Sequence, residues 1–180
     1  LLRDIGANVR TQSPVMAHVN DDADVWTRMW RKQVQLGMVP YYMFIARDTG
    51  AQHFFGVPLA KAFNIFRTAY KQVSGLARTV RGPSMSCTLG KVRVSGVSRI
   101  GTEKVFVLEV LQGRNPDWIG RPFYAKYDEK AIWIDDLKPA FGEEKFFCED
   151  ELETMLTSDA VYQAEPLALL PQEDALFLEA

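Results

Sequence analysis

Val39-Pro40-Tyr41-Tyr42-Met43-Phe44-Ile45-Ala46 is the stretch that decides the fold, because it is almost continuously apolar or aromatic. A strand that is buried on both faces has this composition, as the strands of parallel sheets do. The polar and turn-forming stretch Arg47-Asp48-Thr49-Gly50 follows it and marks the carboxyl end of the strand. The sequence therefore predicts a parallel sheet that contains this strand.

The segments on either side alternate between strand and helix patterns. The patterns predict strands over 8–16 and 76–80, and helices over 25–36 and 59–73, the first capped by a carboxylate of the turn 20–24. Short connections between such elements are typical of βαβ units in a parallel sheet or barrel. Ligands of these folds meet the carboxyl ends of the strands. Three groups of polar residues are predicted there: Gln12 with Ser13, Arg47 with Asp48, and the stretch from Arg81 to Lys91.

The stretch Arg81-Gly82-Pro83-Ser84-Met85-Ser86-Cys87-Thr88-Leu89-Gly90-Lys91 is read as a loop between two strands. Small, polar and turn-forming residues favour a loop that holds a ligand. Gly90-Lys91 places an amine on an approachable backbone, which suits a lysine that forms a Schiff base with an aldehyde cofactor such as pyridoxal phosphate. The alternative is a solvated loop lysine.

Beyond Lys91 the patterns are β-rich. Residues 92–100 and 104–112 alternate like an antiparallel pair that turns at Gly101-Thr102, and 123–127 with 131–134 predict a second, shorter pair. A short acidic helix is expected over 149–156, followed by a tail. The predicted organisation is a half-barrel with the lysine loop over 1–95, a β-rich extension over 96–157, and the tail over 158–180.

Composition excludes several classes of function. The net charge is −2 and the 21 basic residues are scattered, so the sequence predicts no nucleic-acid partner. No apolar run approaches a membrane span, and no signal peptide is visible. Cys87 and Cys148 form no metal-ligand pattern, which favours a reduced, cytoplasmic setting. The opening residues resemble the last turn of a helix ended by Gly6, so we expect the chain to be cut from something longer.

Several landmarks, taken in order, resemble the C-terminal part of the lysine 2,3-aminomutase family of radical S-adenosylmethionine enzymes. They are Leu1-Leu2-Arg3-Asp4-Ile5-Gly6, Thr11-Gln12-Ser13, Val19-Asn20-Asp21, Val39-Pro40-Tyr41-Tyr42 with Asp48, His53-Phe54, Val57-Pro58, and the segment from Ser74-Gly75 to Gly90-Lys91. The resemblance covers residues 1 to about 95, and residues 113–142 resemble a more divergent branch. It implies the C-terminal part of a partial TIM-type barrel followed by a small β-rich extension.

The resemblance also implies a chemistry. In that family a [4Fe-4S] cluster splits S-adenosylmethionine, and the resulting radical allows an amino group bound to pyridoxal phosphate to migrate from C2 to C3 of an amino acid. By position, Lys91 matches the lysine that holds pyridoxal phosphate, and Gly90 allows the backbone to approach it. Gln12 and Ser13 match positions that face the cofactors. Asp48 matches a carboxylate that binds the substrate ammonium, with Arg47 as its rival.

The departures from the family pattern bear on substrate and metal content. Arg81 stands where the lysine enzymes carry a second carboxylate, so either an acidic amino acid is the better substrate or Arg81 pairs with Asp48. Asp22 stands where an interface zinc cysteine is expected, and we expect no zinc. Two cysteines cannot supply the usual three cluster ligands, so this chain alone should be inactive. The strand edge at 8–16 favours self-association, hence a homo-oligomer.

Two other functions stay open from the sequence. One is a non-catalytic module for nucleotides or other anions that uses Arg81, Arg114 and Arg121. The other is an interaction domain whose β-rich region docks to a partner subunit. For His53, a packed or loop-anchoring role is preferred to that of a catalytic base. Cys87 is interpreted as a small residue that fills space.

Overall fold

The computed structural model describes residues 4–47 and 49–164, with side chains as far as residue 158. Six strands form one open sheet in the order of the sequence: β1 (Arg10–Val15), β2 (Val39–Ile45), β3 (Arg81–Cys87), β4 (Gly90–Ile100), β5 (Glu103–Gly113) and β6 (Pro122–Lys126). The first three strands are parallel, and the pairs from β3 to β6 are antiparallel. The mixed α/β class is confirmed, and the described residues form an open sheet without a closed barrel.

Helices α1 (Ala23–Gln35) and α3 (Leu59–Lys71) connect the parallel strands, and the one-turn helix α2 (Gln52–Phe55) precedes α3. The carboxylate of Asp22 begins α1 by accepting hydrogen bonds from the Asp24 and Val25 amides. The apolar face of α1 presents Trp26 and Trp30, and the Trp30 ring meets Phe66 of α3 edge to face at 5.8 Å. The two predicted helices are therefore confirmed, and aromatic packing joins them.

One face of the sheet forms the core. Its strands alternate, so that every second side chain points to the same side. The residues on this side are almost fully buried and include Val15, Met43, Ile45, Met85, Val92, Val94, Leu108 and Val110. The opposite side carries polar, charged and aromatic residues, which leaves one face available for function.

The predicted strand over 76–80 and the predicted loop over 81–91 are both wrong. Gly75–Ala77 is a single turn of 3-10 helix, and the third strand begins only at Arg81. Gly82 has a φ of 155°, and a Cβ at this residue would overlap the carbonyl oxygen of Met43. The buried hydroxyl of Ser84 donates to that same oxygen at 3.4 Å. The small residues therefore serve the close approach of β3 to β2 instead of forming a loop.

A two-residue turn joins β3 to β4. The last pair of the ladder is Cys87 with Gly90, so only Thr88 and Leu89 lie between the strands. Leu89 is buried, and Arg114 holds the turn by donating from its Nε to the Thr88 carbonyl at 2.9 Å. The predicted ligand loop is thus a tight hairpin.

The hairpin of β4 and β5 is confirmed, with Ile100 opposite Glu103 and Gly101 at a φ of 59° in its turn. The predicted strand over 131–134 is wrong, because β6 pairs with β5. The 131–134 segment has other partners: the carboxylate of Asp136 accepts from the Ile132 and Trp133 amides, and the Ala131 carbonyl accepts from the Leu59 amide at 2.8 Å.

The chain divides into two compact units, Leu1–Cys148 and Glu149–Ala180. In the second unit, helix α4 (Glu149–Ala164) is longer than the predicted acidic helix. Its first turn carries Glu149, Asp150 and Glu151, which suits the positive end of a helix dipole. Residues 165–180, most of the predicted tail, lie outside the described residues.

Candidate functional site

A row of side chains crosses the open face of the parallel strands. Gln12 of β1 is the register partner of Tyr42 in β2, and Tyr42 is the partner of Arg81 in β3. Register partners in neighbouring strands point to the same side of a sheet. Lys91 joins this row from β4, with its Nζ 4.8 Å from the centroid of the Tyr42 ring. The structure therefore brings together three of the residues predicted from the sequence: Gln12, Arg81 and Lys91.

Two register shifts direct side chains onto this face. Between β1 and β2 the shift leaves Tyr41 as an extra residue, so that the rings of Tyr41 and Tyr42 lie 4.5 Å apart although they are consecutive. Between β2 and β3 the shift places two residues, Gly82 and Pro83, between the pairs of Tyr42 and Phe44. Bulges of this kind occur next to functional sites because they re-aim side chains.

Cations and aromatic rings alternate along the row. The Arg10 guanidinium carbon lies 5.1 Å from the Tyr41 ring centroid, and that of Arg81 lies 5.4 Å from Tyr41 and 6.0 Å from Tyr42. The Lys91 amine also lies 5.7 Å from the Phe44 ring, which stacks on Tyr42 at 4.8 Å. Attraction between cations and ring faces holds these long side chains in place. We call Arg10, Tyr41, Arg81, Tyr42, Lys91 and Phe44 the cation–aromatic row.

Tyr42 lies at the centre of this row and is 2% exposed. Its hydroxyl is buried and has no hydrogen-bond partner within the described ranges 4–47 and 49–164. The pKa of the Arg81 guanidinium is raised above its ordinary value, chiefly by its interaction with the Tyr42 side chain, so the two polar groups lie close together. Buried hydroxyls are nearly always paired, so an unpaired one in a cationic surrounding is a candidate ligand contact.

An apolar cleft opens where β1, β2 and β3 end. Its volume is about 480 Å³, and Pro14, Met16, Phe44, Ile45, Ala46, Arg47, Thr49, Ala51, Gln52, Phe55 and Ser86 line it. This volume is within the range of about 300–1,000 Å³ that small-molecule sites have. Phe44 belongs both to the cleft and to the cation–aromatic row, and Ser86 is the register partner of Lys91. The amine of Lys91 thus lies beside the cleft.

A second, more polar cleft of about 430 Å³ shares Arg47, Thr49 and Ser86 with the first. Cys87, Thr88, Trp133 and Asp135 complete its lining. Burial, and to a smaller extent the negative charge of Asp135, raises the pKa of the Cys87 thiol. A raised pKa keeps the thiol protonated, which argues against a nucleophilic role for Cys87.

Several predicted site residues are placed differently. Ser13 pairs with Met43 of the buried core, so it lies on the other side of β1 from Gln12. A Cβ at Gly90 would overlap the Gln112 carbonyl, which means that the backbone of Gly90 already contacts β5. Asp48 lies outside the described residues. The roles predicted for these residues in binding stay predictions.

The alternative anion site is not assembled around its three arginines. Arg114 donates to the turn at Thr88, and the Arg121 guanidinium lies 4.0 Å from the Phe147 ring. Arg81 belongs to the cation–aromatic row.

His53 is exposed on α2, whereas His18 stacks against Phe54 at 4.7 Å.

Sequence reasoning did not identify Tyr42 and Phe44 as site residues, whereas Ser86 lies within the predicted ligand stretch from Arg81 to Lys91. The composition of 39–46 predicts a strand buried on both faces, and nothing in its apolar run distinguishes rings that pack on helices from rings that support cations. One signal was present: consecutive tyrosines in a strand normally point to opposite sides, unless a bulge intervenes.

A comparison with curated proteins finds a distant relative. The chain is 26% identical over 145 residues to a protein of Aquifex aeolicus (strain VF5) named "Putative L-lysine 2,3-aminomutase". The matched residues make up 81% of this chain and 37% of that protein, so the chain spans little more than a third of the length of its relative. The resemblance that the landmarks indicate is confirmed.

No protein-family model matches the chain. Across the described residues, no group of three or more His, Cys, Asp or Glu side chains is placed to hold a metal ion. Within the same residues, none of the helices is both long and apolar enough to cross a bilayer.

Proposed function

We propose that this chain is the C-terminal part of an isomerase that moves an amino group between C2 and C3 of an amino acid, with pyridoxal phosphate and S-adenosylmethionine as cofactors. The position of Lys91 carries the proposal. Its amine lies on the open face of the sheet, against Tyr42 and Phe44, beside a cleft of about 480 Å³. The similarity to a protein named as a lysine 2,3-aminomutase supports the same assignment.

The residues around Lys91 fit pyridoxal phosphate. The cofactor needs an amine for its aldehyde, flat apolar surfaces for its ring, and donors for its phosphate. Lys91 would be the amine, the ring of Phe44 in the cleft would be the flat surface, and Arg47, Thr49 and Ser86 would be donors that line both clefts. When bound, pyridoxal phosphate supplies a π system through which an amino group can pass between adjacent carbons.

The residues of this chain would hold and orient the cofactor. Lys91 would fix the position of the cofactor, while Phe44, supported by Tyr42 beneath it, would restrict rotation of the cofactor ring and keep water from one side. Gln12, the register partner of Tyr42, would donate or accept hydrogen bonds on the open face. Position and charge are what a protein contributes to cofactor chemistry.

The remaining parts of the proposal concern the whole protein. Cys87 and Cys148 are the only cysteines of the sequence, so the ligands of a [4Fe-4S] cluster and the site for S-adenosylmethionine would belong to other parts of a longer protein. The open sheet would be the C-terminal part of a partial TIM-type barrel, with the cation–aromatic row facing its interior. We further propose a cytoplasmic homo-oligomer whose substrate is an amino acid.

The proposal is tested by locating the cofactor on the chain. The purified chain is incubated with pyridoxal phosphate and reduced with borohydride, and mass spectrometry then identifies the labelled lysine. We expect Lys91 to be labelled before all other lysines, and Lys91→Ala to remove both the label and the cofactor's absorption band.

Lys104→Ala is the matched control, because the Lys104 amine also lies over a ring, 3.4 Å from the Tyr127 centroid, in the same hairpin. This variant should leave the labelling of Lys91 unchanged. Equal labelling of Lys91 and Lys104, or an unchanged absorption band in Lys91→Ala, would refute the proposal.

A further inference from the structure

We propose that Arg81 and the hydroxyl of Tyr42 form a subsite for the side-chain carboxylate of the substrate, so that the enzyme acts on a dicarboxylic amino acid. This inference rests on the proposed function, because it assumes that the amino group of the substrate is engaged near Lys91. It adds a substrate class and two specificity-determining residues.

The first argument is charge. Arg10, Arg81 and Lys91 all lie against the rings of the cation–aromatic row. Within the described residues, none of these three side chains forms an ion pair with a carboxylate. A ligand that brings a second carboxylate is attracted to such a surface, whereas a ligand that brings a second ammonium is repelled.

The second argument is the chemistry of Arg81. Its guanidinium carbon lies within 6.0 Å of the ring centroids of both Tyr41 and Tyr42, while the residue as a whole is exposed. Packing on rings limits the rotamers of a long side chain and leaves N–H donors for a partner. Arginine binds a carboxylate with two parallel hydrogen bonds, and this geometry discriminates better than a point charge.

The third argument is the hydroxyl of Tyr42. Tyr42 is 2% exposed, and within the described part of the chain its hydroxyl has no partner. Burial of a hydroxyl without a partner is unfavourable, and this cost is removed once a ligand oxygen accepts a hydrogen bond from the hydroxyl. Phe44 stacks on the Tyr42 ring, and Arg81 and Lys91 also lie over it, so a ligand would reach the hydroxyl by displacing part of this packing. A carboxylate held by Arg81 would supply the missing acceptor.

The fourth argument is distance. Arg81 and Lys91 both lie within 6.0 Å of the centroid of one ring, that of Tyr42. A small amino acid can therefore extend from one to the other, with its amino group towards Lys91 and its side chain towards Arg81. The carboxylates of aspartate and glutamate complement the charge of Arg81.

The test compares ligands that differ in the end of the side chain. Calorimetry and the cofactor's absorption spectrum report the binding of L-glutamate, L-aspartate, L-lysine and L-norvaline to the chain loaded with pyridoxal phosphate. We expect a dicarboxylic amino acid to bind more tightly than lysine or norvaline. Arg81→Gln should weaken that binding by about ten- to a hundred-fold and leave norvaline unaffected.

Three variants give the controls. Arg81→Lys should restore part of the affinity, because it keeps the charge and loses the paired donors. Arg99→Gln, at the far end of the β4–β5 hairpin, should change nothing. Tyr42→Phe should weaken dicarboxylate binding several-fold and should also stabilise the free chain, because it removes an unpaired buried hydroxyl.

The results separate this inference from the proposed function. Labelling of Lys91 without any dependence of dicarboxylate binding on Arg81 would refute the subsite alone. Binding of glutarate that depends on Arg81, in a chain that takes no cofactor at Lys91, would refute the proposed function alone. Unchanged affinity in Tyr42→Phe would remove the hydroxyl from the subsite.

Discussion

The parallel and antiparallel halves of the sheet use their charges differently. In the antiparallel half, Arg93 of β4 donates to Glu109 of β5 at 2.7 Å, and the two residues are direct register partners. In the parallel half, Arg10 and Arg81 lie against aromatic rings, and so does Lys91, which β4 adds to the row. A cation paired with an acid across a ladder stabilises the ladder, and a cation supported by rings keeps its donors available. The same face of the sheet thus carries a cation paired with an acid and cations supported by rings.

The two halves also reach their stability by different routes. The parallel strands are joined by helices and pair over long sequence separations, as Tyr42 does with Arg81. The antiparallel strands are joined by tight turns, such as the one at Gly101. Because β3 belongs to both ladders, we expect the halves to unfold together.

The largest expected effect tests that coupling. Trp30→Ala in the parallel half and Phe106→Ala in the antiparallel half remove buried aromatic rings, and each should cost about 3–5 kcal/mol of unfolding free energy. Urea unfolding followed by circular dichroism and by fluorescence measures this cost. Each variant should show a single transition with both probes. Leu76→Ala, at a side chain that is 74% exposed, should change stability by less than about 0.5 kcal/mol. Two separate transitions would show that the halves are independent.

A smaller effect sharpens the account of β3. Gly82→Ala should destabilise the chain by about 1–3 kcal/mol, because its new Cβ overlaps the Met43 carbonyl and its backbone has a positive φ. Gly75→Ala is the matched control, since a Cβ there meets nothing within 4 Å. Thermal unfolding of both variants gives the difference. Equal stabilities would mean that β3 does not approach β2 as closely as described.

The smallest effect concerns an exposed ion pair of the parallel half. Lys61 and Asp21 lie 2.5 Å apart, and this hydrogen bond lowers the pKa of the Asp21 carboxyl. A carboxyl whose pKa is lowered by folding stabilises the folded chain at pH values above its unfolded-state pKa of about 4. This stabilisation is lost as the pH falls through its folded-state pKa. Because the pair is exposed, it should contribute less than about 1 kcal/mol. Asp21→Asn should lower stability at pH 7 and leave it unchanged at pH 2, as urea unfolding at the two pH values would show. A loss of equal size at both pH values would contradict the assignment.

The sequence predicts an element correctly where the spacing of apolar residues and the capping or turn residues indicate the same structure. Trp26 and Trp30 at helical spacing, with Asp22 before them, predict α1 to within two residues of each end. The alternation of 92–100 and 104–112 predicts the β4–β5 hairpin, because one face of each strand is buried. Lys91 was predicted to end a ligand loop, whereas in the structure it lies in β4 with its amine over the Tyr42 ring.

The sequence predicts the wrong structure where residues that are typical of turns lie instead in a strand that is packed closely against its neighbour. Gly82, Pro83 and Ser84 have the composition of a loop, yet they are buried in β3 because β2 lies too near for larger side chains. The register shifts could not be predicted either, since a bulge depends on which strand lies opposite. Without those shifts the pairing of Gln12, Tyr42 and Arg81 cannot be derived from the chain, and so the site was only partly foreseen.

The turn at Thr88 and Leu89 has a consequence for any homologue or designed variant. Side chains alternate between the two sides of a strand, so one inserted residue that shifts β4 by one position, with the turn still two residues long, would send the Lys91 amine into the apolar core under the helices. An insertion of two residues would leave the amine on the open side. Insertions that shift β4 instead of lengthening the turn should therefore occur in even steps wherever Lys91 stays on the open side.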